Sequence, residues 1–516
     1  MTTTDQTQQR TGRAARAGKT AAVRPRRPPM RGWLGRGRGQ SSYLQTPAEW
    51  RGTTVQVCGL WPFAVGAGTP MVGVPFGRHI HTGATLCCDP ISWYQRANLI
   101  GNPSVFFLGR PGLGKTSAVM RMAVGLSGYG VIPLVLGDTR PDYTKMVDRL
   151  GGQVITLGRN RGALNVLDPG EAPDAAARLR AEGFHREAEE VLADAHGLRL
   201  NMLSSLITVL RKSAPTAREE TILARALTWL DEHHDGVPVI PDLLAVVRAA
   251  PPELREAALD RGAATRYQEV TEELEAALVA LGPGGKFGDV FAKPTTQPMR
   301  RDRAVVYDVS AIPQSDGDLR AVALLASWSA GFAVVNIAQV LADVGLEARR
   351  HYFVVLDELH QALKAGPGLV DRVDYLTRLN RTVGVGLAMI THTMKDLRSL
   401  PLEEDRQKAM GFIERAGFIV CGGLPLSEMP LLTSVVGLSR QEQELLGGWQ
   451  DPPAWDTKEG REAPPPGLGK FLVKVGGRPG IPVDLTLTAA EKSLHMSSAR
   501  WTDRSRTGLL GQEAPQ

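Results

Sequence analysis

Residues 104–116 read SVFFLGRPGLGKT and decide the fold of this chain of 516 residues. The apolar residues 105–108 are typical of a buried strand, and SAVMRMAVGL after Thr116 is typical of a helix. The spacing Gly-x-x-x-x-Gly-Lys-Thr, starting at Gly109, is that of a phosphate-binding loop. Glycines in such a loop turn successive backbone N–H groups toward phosphate oxygens, and the helix N-terminus adds its dipole. The stretch therefore predicts a nucleoside triphosphate site on an α/β fold.

Two side chains of this loop carry chemistry. We expect Lys115 to reach the β- and γ-phosphates and the Thr116 hydroxyl to ligate Mg²⁺. A glycine-rich strand-to-helix turn with an incidental lysine is the alternative, which the flanking strand and helix disfavour. The predicted nucleotide-binding residues are Gly109, Arg110, Pro111, Gly112, Leu113, Gly114, Lys115, Thr116 and Ser117.

An acidic pair follows a later apolar run, FVVL at 353–356. Asp357 and Glu358 come directly after it, where a buried strand would end. A phosphate loop needs one carboxylate to hold the hydrated Mg²⁺ and often a second to polarise the attacking water. We therefore expect Asp357 at the metal and Glu358 as the catalytic base. A strand that ends in a plain acidic turn is the alternative.

The next predicted strand ends in MITHT at 389–393. We expect His392 or Thr391 to lie between Asp357 and the γ-phosphate as a sensor of hydrolysis, with a plain surface histidine as the alternative. A neighbouring subunit can also insert a cation that stabilises transition-state charge. Most arginines are solvated surface residues, so each candidate competes with that role. The candidates for this cation are Arg378, Arg381 and Arg415.

The basic charge of the chain is concentrated near its start. Ten of the 60 Lys and Arg residues, but one of the 54 acidic residues, fall within residues 1–40, while the whole chain has a net charge of +6. The remaining body is therefore slightly acidic. The tail is rich in Gly, Pro, Gln and Thr and lacks the apolar residues needed to fold. It suits nucleic acid, anionic lipid or an acidic partner, or it serves only as a solubilising flexible end.

Cysteine usage and hydropathy favour a cytoplasmic protein. The four cysteines show neither a metal-ligand spacing nor a disulfide framework. The basic start is not followed by an apolar segment, so no signal peptide is expected. Residues 321–342 lack charges, but their polar content and their place between two predicted strands favour a packed helix over a membrane span. We expect no transmembrane segment, and peripheral association with the cytoplasmic face of a membrane stays open.

Composition and periodicity divide the chain into six segments. Strand and helix patterns alternate from residue 101, which indicates a parallel sheet. A charged, Ala- and Leu-rich stretch with a capping-box spacing from Thr216 to Glu219 indicates an all-helical insertion. The predicted segments are a disordered basic tail at 1–45, a small β-rich N-terminal region at 46–100, the first part of the core at 101–170, the helical insertion at 171–283, the second part of the core at 284–490 and a C-terminal tail at 491–516.

These motifs resemble the HerA–FtsK superfamily of hexameric RecA-like motors, and most closely the large ATPases of conjugative type IV secretion systems. The phosphate loop, the passages VVLDEL and ITHTMKDL, the helical insertion and the C-terminal GLGKFLVKVGGRPGIPVDLTLT carry the likeness over about residues 70–490. Arg- and Ala-rich usage also suggests a high-GC bacterial source, such as an actinomycete mobile element. The most specific passage lies at 134–169, where the family positions are held by Asp138, Tyr143, Gly151, Gly152, Asn165 and Asp168.

The resemblance implies a RecA-like P-loop core, ATP with Mg²⁺ as cofactors, and a homo-hexameric ring in which a trans arginine completes each site. It also implies ATP hydrolysis that powers DNA transfer or protein export, with secretion or conjugation proteins as partners. An FtsK- or HerA-like double-stranded DNA translocase, which would bind nucleic acid through the basic tail or a ring pore, stays open. So does a nucleotide-gated assembly switch without motor activity.

The chain departs from the family at two places. His392 stands where many relatives have Gln in the sensor strand. The large N-terminal domain of the typical secretion ATPase is reduced here to some 50 residues plus the basic tail.

Overall fold

The computed structural model of the chain describes residues 68–366, 369–378, 384–453, 455–456 and 461–494. The predicted basic tail at 1–45, the β-rich region as far as 67 and the C-terminal tail from 495 onward lie outside the described residues. So does Arg381.

An 11-stranded sheet with the order β2-β1-β13-β12-β9-β3-β8-β7-β4-β6-β5 forms the centre of the described part. Strands from β9 through β5 pair in parallel, whereas β12, β13, β1 and β2 extend the β9 edge by antiparallel pairing. Strands β10 and β11 form a separate pair. The bounds are β1 (Pro75–His79), β2 (Thr85–Cys87), β3 (Ser104–Leu108), β4 (Ile132–Asp138), β5 (Gln153–Thr156), β6 (Val305–Asp308), β7 (Tyr352–Leu356), β8 (Val385–Ile390), β9 (Phe418–Cys421), β10 (Trp455–Asp456), β11 (Arg461–Glu462), β12 (Lys470–Lys474) and β13 (Ile481–Asp484).

Helices connect the strands, and the longest of them pack against the sheet or against each other. The bounds are α1 (Pro90–Gln95), α2 (Lys115–Gly128), α3 (Thr144–Arg149), α4 (Ala172–Ala181), α5 (His185–Arg211), α6 (Ala217–His233), α7 (Ile240–Ala249), α8 (Pro252–Ala258), α9 (Ala264–Leu281), α10 (Gly288–Phe291), α11 (Gly317–Asp343), α12 (Leu359–Leu363), α13 (Leu369–Arg378), α14 (Met394–Arg398), α15 (Glu403–Glu414), α16 (Met429–Val435), α17 (Arg440–Gly448) and α18 (Ala489–Leu494).

Side chains of the central strands alternate between two hydrophobic cores, because successive residues of a strand point to opposite faces of a sheet. In β3, Phe106 and Leu108 belong to one core, whereas Val105 and Phe107 belong to the other. All residues of β3 and of β7 are buried, as expected for parallel strands that are covered on both faces. The predictions of a buried strand before the phosphate loop and another before the acidic pair are confirmed.

Helix α11 contains the long apolar segment and packs inside the molecule. Among the described residues it is the one helix long and apolar enough to cross a membrane, and 72% of its most apolar window is buried. Gly331 lets it approach β4 closely, since a Cβ there would meet Leu136 Cδ1 at 2.5 Å. The indole N–H of Trp328 donates to the backbone oxygen of Leu136. These contacts agree with the prediction of a packed core helix.

The chain between β5 and β6 is helical, from α4 to α10. Its predicted capping box is confirmed: the Thr216 amide donates to Glu219 Oε2 at 2.7 Å, and the Glu219 amide donates to Thr216 Oγ1 at 3.3 Å. Charged side chains of this helical region form pairs. Arg199 donates two hydrogen bonds to the Asp231 carboxylate, at 2.7 and 2.6 Å.

Candidate nucleotide site

The phosphate loop joins β3 to α2 at the carboxyl edge of the parallel strands. Gly109, Gly112 and Gly114 have φ values of +154°, +82° and +98°, a region that glycine enters without steric cost. Gly114 is the N-cap of α2, and no side chain caps this helix. The amides of the first turn are therefore available to an anion, and the helix dipole favours negative charge there.

Neighbouring strand ends hold the backbone of the loop. The Gly109 amide donates to the backbone oxygen of His392 after β8, at 3.1 Å. The Arg110 amide donates to the backbone oxygen of Gly423 after β9, also at 3.1 Å. The shape of the loop is thus set by its own glycines and by the two strands that flank β3.

Lys115 is buried at the start of α2, with 7% of its surface exposed. Its Nζ donates to the backbone oxygens of Gly109 and Arg110, the second at 3.1 Å. The same nitrogen lies 3.2 Å from Nδ1 of His392. Burial lowers the pKa of Lys115 to about 8, although two nearby carboxylates oppose the shift. A buried ammonium of this kind gains from the approach of a phosphate.

Asp357 and Glu358 follow β7 at the same edge of the sheet. The Glu358 amide donates to Asp357 Oδ1 at 2.8 Å. Burial, with the neighbouring Glu358 carboxylate, raises the pKa of Asp357 to about 6, although that amide, Lys115 and His392 oppose the shift. A nearby cation would favour the ionised carboxylate, so Asp357 suits a metal ligand.

Glu358 is buried, and its two oxygens differ. Oε1 lies 3.1 Å from Nε2 of His392. Oε2 lies 3.4 Å from Nδ1 of His360 and accepts no hydrogen bond within the described part of the chain. Burial alone would raise the pKa of Glu358, but the hydrogen bond and charge of His392, with His360 and Arg140, lower it. An ionised carboxylate with one oxygen that accepts no hydrogen bond in the described part has the free lone pairs that a general base needs.

The backbone of Glu358 is also unusual, with a φ of +52°. Residues other than glycine seldom enter this left-handed region, and such strain is concentrated at functional sites.

His392 connects the lysine to the glutamate through its two ring nitrogens. Thr391, the other predicted sensor, is buried, and its Oγ1 lies 3.4 Å from Nδ1 of His360. In this structure it is therefore His392 that contacts both Lys115 and Glu358.

Of the three arginines predicted for a neighbouring active site, Arg415 is the one whose side-chain contacts the structure describes. Arg378 is the last residue of α13, and Arg381 is outside the described residues. Arg415 forms an ion pair with Asp374 inside its own subunit.

Three residues that the sequence analysis did not single out lie beside Glu358. Arg140, Arg320 and His360 line a pocket of about 480 Å³ to which Glu358 also contributes. Arg140 comes two residues after β4, and His360 comes two residues after Glu358. Side chains at the carboxyl ends of parallel strands gather at one edge, and that rule could have found both. Arg320 lies in the first turn of α11, and no motif indicated it.

The residues of the passage at 134–169 divide between the site and its scaffold. Asp138 ends β4, and its carboxylate accepts from the amides of Tyr143 at 2.8 Å and Arg140 at 3.2 Å. Burial raises the pKa of Asp138 well above its usual value. The other family positions make structural contacts: Gly151 and Gly152 precede β5, Asn165 Nδ2 donates to the backbone oxygen of Pro238 at 2.8 Å, and Asp168 Oδ2 accepts from Thr295 Oγ1 at 2.6 Å.

Known proteins resemble this chain in fold. No protein-family model matches the sequence, and no curated protein matches it. The structure of VirB4 of Thermoanaerobacter pseudethanolicus matches with a TM-score of 0.57 at 16% identity, covering 83% of this chain and 99% of that chain. The plasmid coupling protein TrwB in complex with ADP and Mg²⁺ matches with a TM-score of 0.47 at 12% identity, covering 82% and 97%. The VirB4 match confirms the predicted RecA-like P-loop α/β fold.

Proposed function

We propose that this chain is a Mg²⁺-dependent P-loop ATPase whose hydrolysis powers DNA transfer or protein export in a conjugative, type IV secretion-like system. One cluster beside the phosphate loop carries the proposal. His392 contacts Lys115 through one ring nitrogen and Glu358 through the other. The secretion part of the proposal rests on the resemblance of the motifs, and the fold shared with VirB4 supports it.

The residues at this edge fit a magnesium nucleotide. The loop glycines and the uncapped start of α2 supply amides for phosphate oxygens. The Thr116 hydroxyl and the Asp357 carboxylate are the oxygen donors that Mg²⁺ prefers. When bound, the metal would neutralise charge on the phosphates. The buried ammonium of Lys115 would contribute a further positive charge beside them.

The chain's own residues would divide the hydrolysis between them. Glu358 Oε2, which accepts no hydrogen bond in the described part, would take the proton of the attacking water. His392 would keep the carboxylate oriented through Oε1 and would sense the γ-phosphate through Lys115. In a homo-hexameric ring, Arg378 or Arg381 of the adjacent subunit would stabilise the charge that develops on the phosphate.

Steady-state ATP turnover, measured over a protein concentration series beside Lys115→Ala, tests this proposal. We expect Mg²⁺-dependent turnover that rises cooperatively with protein concentration, because a ring shares its active sites, and that is lost in the variant. Turnover that is the same in Lys115→Ala would contradict the assignment of the site.

A double-stranded DNA translocase of the FtsK or HerA kind is the second candidate. The ten basic residues within 1–40 favour it, because contacts to phosphates supply sequence-independent affinity for DNA. Double-stranded DNA should then raise ATP turnover at low salt, and higher salt should abolish the increase. DNA that leaves turnover unchanged at low salt would favour the secretion motor.

A nucleotide-gated assembly switch is the candidate from a different class. A switch with Glu358→Gln should still bind the partners of its ATP-bound state, whereas a motor with this substitution should bind ATP and stop.

We place the protein in the cytoplasm, with peripheral association at the membrane where a secretion channel would stand.

A further inference from the structure

A polar pocket of about 480 Å³ borders the site on the side of Glu358 and His392. Both of these residues line the pocket, whereas Lys115 does not. Because His392 contacts Lys115 through Nδ1 and Glu358 through Nε2, this pair stands between the lysine and the pocket. The pocket therefore lies next to the residues that contact Lys115, the residue expected to bind the γ-phosphate.

Cations dominate the lining of this pocket. Asp318, one of its two lining carboxylates, is already paired with Lys212 Nζ at 2.6 Å and with Lys286 Nζ at 2.5 Å. The lysine of the lining, Lys364, is paired with Asp396. Glu358, the other lining carboxylate, carries one negative charge, and the two arginines outweigh it.

Arg320 is the better placed of these arginines. It is 7% exposed, and its Nη2 donates to the backbone oxygen of Ile312 at 2.8 Å, which fixes the guanidinium. Its buried Nε finds no hydrogen-bond partner among the described residues. No carboxylate of the described residues forms an ion pair with this guanidinium, so its charge is available to an anion in the pocket. Arg140, the other arginine of the lining, is exposed.

We propose that this pocket binds inorganic phosphate, the product of the proposed hydrolysis, as it leaves the phosphate loop. The inference rests on the proposed function. A guanidinium presents several N–H donors to a tetrahedral oxyanion, and the pocket has room for the ion with bound water.

The proposed hydrolysis releases the phosphate beside this pocket. The water oxygen bonds to the γ-phosphorus, the bond from that phosphorus to the bridging oxygen breaks, and ADP leaves with the electron pair. The proton of the water goes to Glu358 Oε2. Glu358 and His392 both line the pocket, so the phosphate is released at its border.

Equilibrium dialysis with radiolabelled inorganic phosphate and the full chain tests the proposal without requiring hydrolysis. Lys115→Ala removes the phosphate loop as a competing site, and we expect this variant to retain one phosphate site. Adding Arg320→Gln should weaken that site at least about tenfold. Adding Arg349→Gln, near the far end of α11, is the matched control and should leave it unchanged.

Two further variants guard against a folding defect. Arg320→Lys should recover part of the affinity, and Arg140→Gln, at an exposed position, should weaken phosphate binding in a chain that folds normally. Absence of phosphate binding in Lys115→Ala, or equal binding with and without Arg320→Gln, would overturn the proposal. So would displacement of the bound phosphate by an oligonucleotide, which would assign the pocket to a nucleic-acid backbone.

The outcomes separate this proposal from the proposed function. If phosphate binding depends on Arg320 but the protein hydrolyses no ATP, the phosphate pocket stands and the proposed ATPase function is refuted. If the protein hydrolyses ATP but phosphate binding does not depend on Arg320, the ATPase function stands and the phosphate pocket is refuted.

Discussion

The helical region between β5 and β6 and the carboxyl edge of the sheet bury ionisable groups in opposite ways. In the helical region, burial would raise the pKa of Asp231, but His196 and Arg199 lower it to about 2. At the sheet edge, burial lowers the pKa of Lys115 to about 8 and raises that of Asp357 to about 6. Partners of Asp231 favour its charged form, whereas burial of Lys115 and Asp357 favours their neutral forms.

This difference indicates what each region is for. Paired charges hold the helices together, as between Arg211 Nη1 and Glu219 Oε1 at 2.7 Å. Charges whose pKa burial moves toward neutrality are typical of functional sites. Substitutions at the sheet edge should therefore remove function and spare stability, and substitutions in the helical region should do the opposite.

The largest effect is expected for Lys115→Met, which keeps the alkyl chain and removes the charge. Nucleotide affinity should fall at least about a hundredfold, because a buried charged contact to phosphate is lost. The free energy of unfolding should stay the same or rise, because a buried ammonium has gone. Nucleotide titration and urea unfolding of the same preparation measure both. A variant that loses stability but binds nucleotide as tightly as wild type would show that Lys115 has a structural role and not a binding role.

In the helical region, Asp231→Asn should lower the free energy of unfolding by about 1 to 2 kcal/mol, because the buried Arg199 loses its charged partner, while solvent screens the partly exposed Asp231. ATP turnover per folded molecule should not change. Urea unfolding gives the first quantity, and turnover scaled to the folded fraction gives the second. A variant that is as stable as the parent would show that this pair does not hold the helices.

The pKa of Lys115 predicts a smaller, reversible effect of pH. As pH rises through about 8, the lysine loses its proton and its attraction for phosphate, so nucleotide affinity at pH 9 should be about tenfold weaker than at pH 7. Lys115→Arg keeps its charge over this range and serves as the control. A wild-type nucleotide affinity that stays constant from pH 7 to 9 would refute the lowered pKa of Lys115.

The smallest effect is expected for His392→Gln. A glutamine amide can still donate to Glu358 Oε1, so turnover should remain within about tenfold of the wild-type value. His392→Ala removes the donor and should cost more. If the two variants lose turnover equally, the contact from His392 to Glu358 does not orient the carboxylate.

The sequence predicted the elements whose signal is local. Short runs of apolar residues identified β3 and β7. The phosphate-loop spacing identified Lys115, and the capping-box spacing identified the start of α6. Each of these depends on residues within about ten positions of each other. The RecA-like fold followed from the resemblance, and the VirB4 match confirms it.

The contacts that complete the candidate site depend on strand order instead. His392 meets Lys115 because β8 lies between β3 and β7, an order that no local pattern encodes. Arg320 reaches the same edge because α11 begins there, 38 residues before Glu358 in the chain. Its apolar neighbours predicted a buried helix but said nothing of where that helix would start.

We propose that the carboxyl edge of the sheet hydrolyses ATP with Glu358 as the base. Single-turnover hydrolysis by wild type and Glu358→Gln, with protein in excess of ATP and with saturating Mg²⁺, tests this assignment. We expect the variant to bind ATP as well as wild type does and to cleave it about 10² to 10⁴ times more slowly. Cleavage by the variant at the wild-type rate would refute Glu358 as the base.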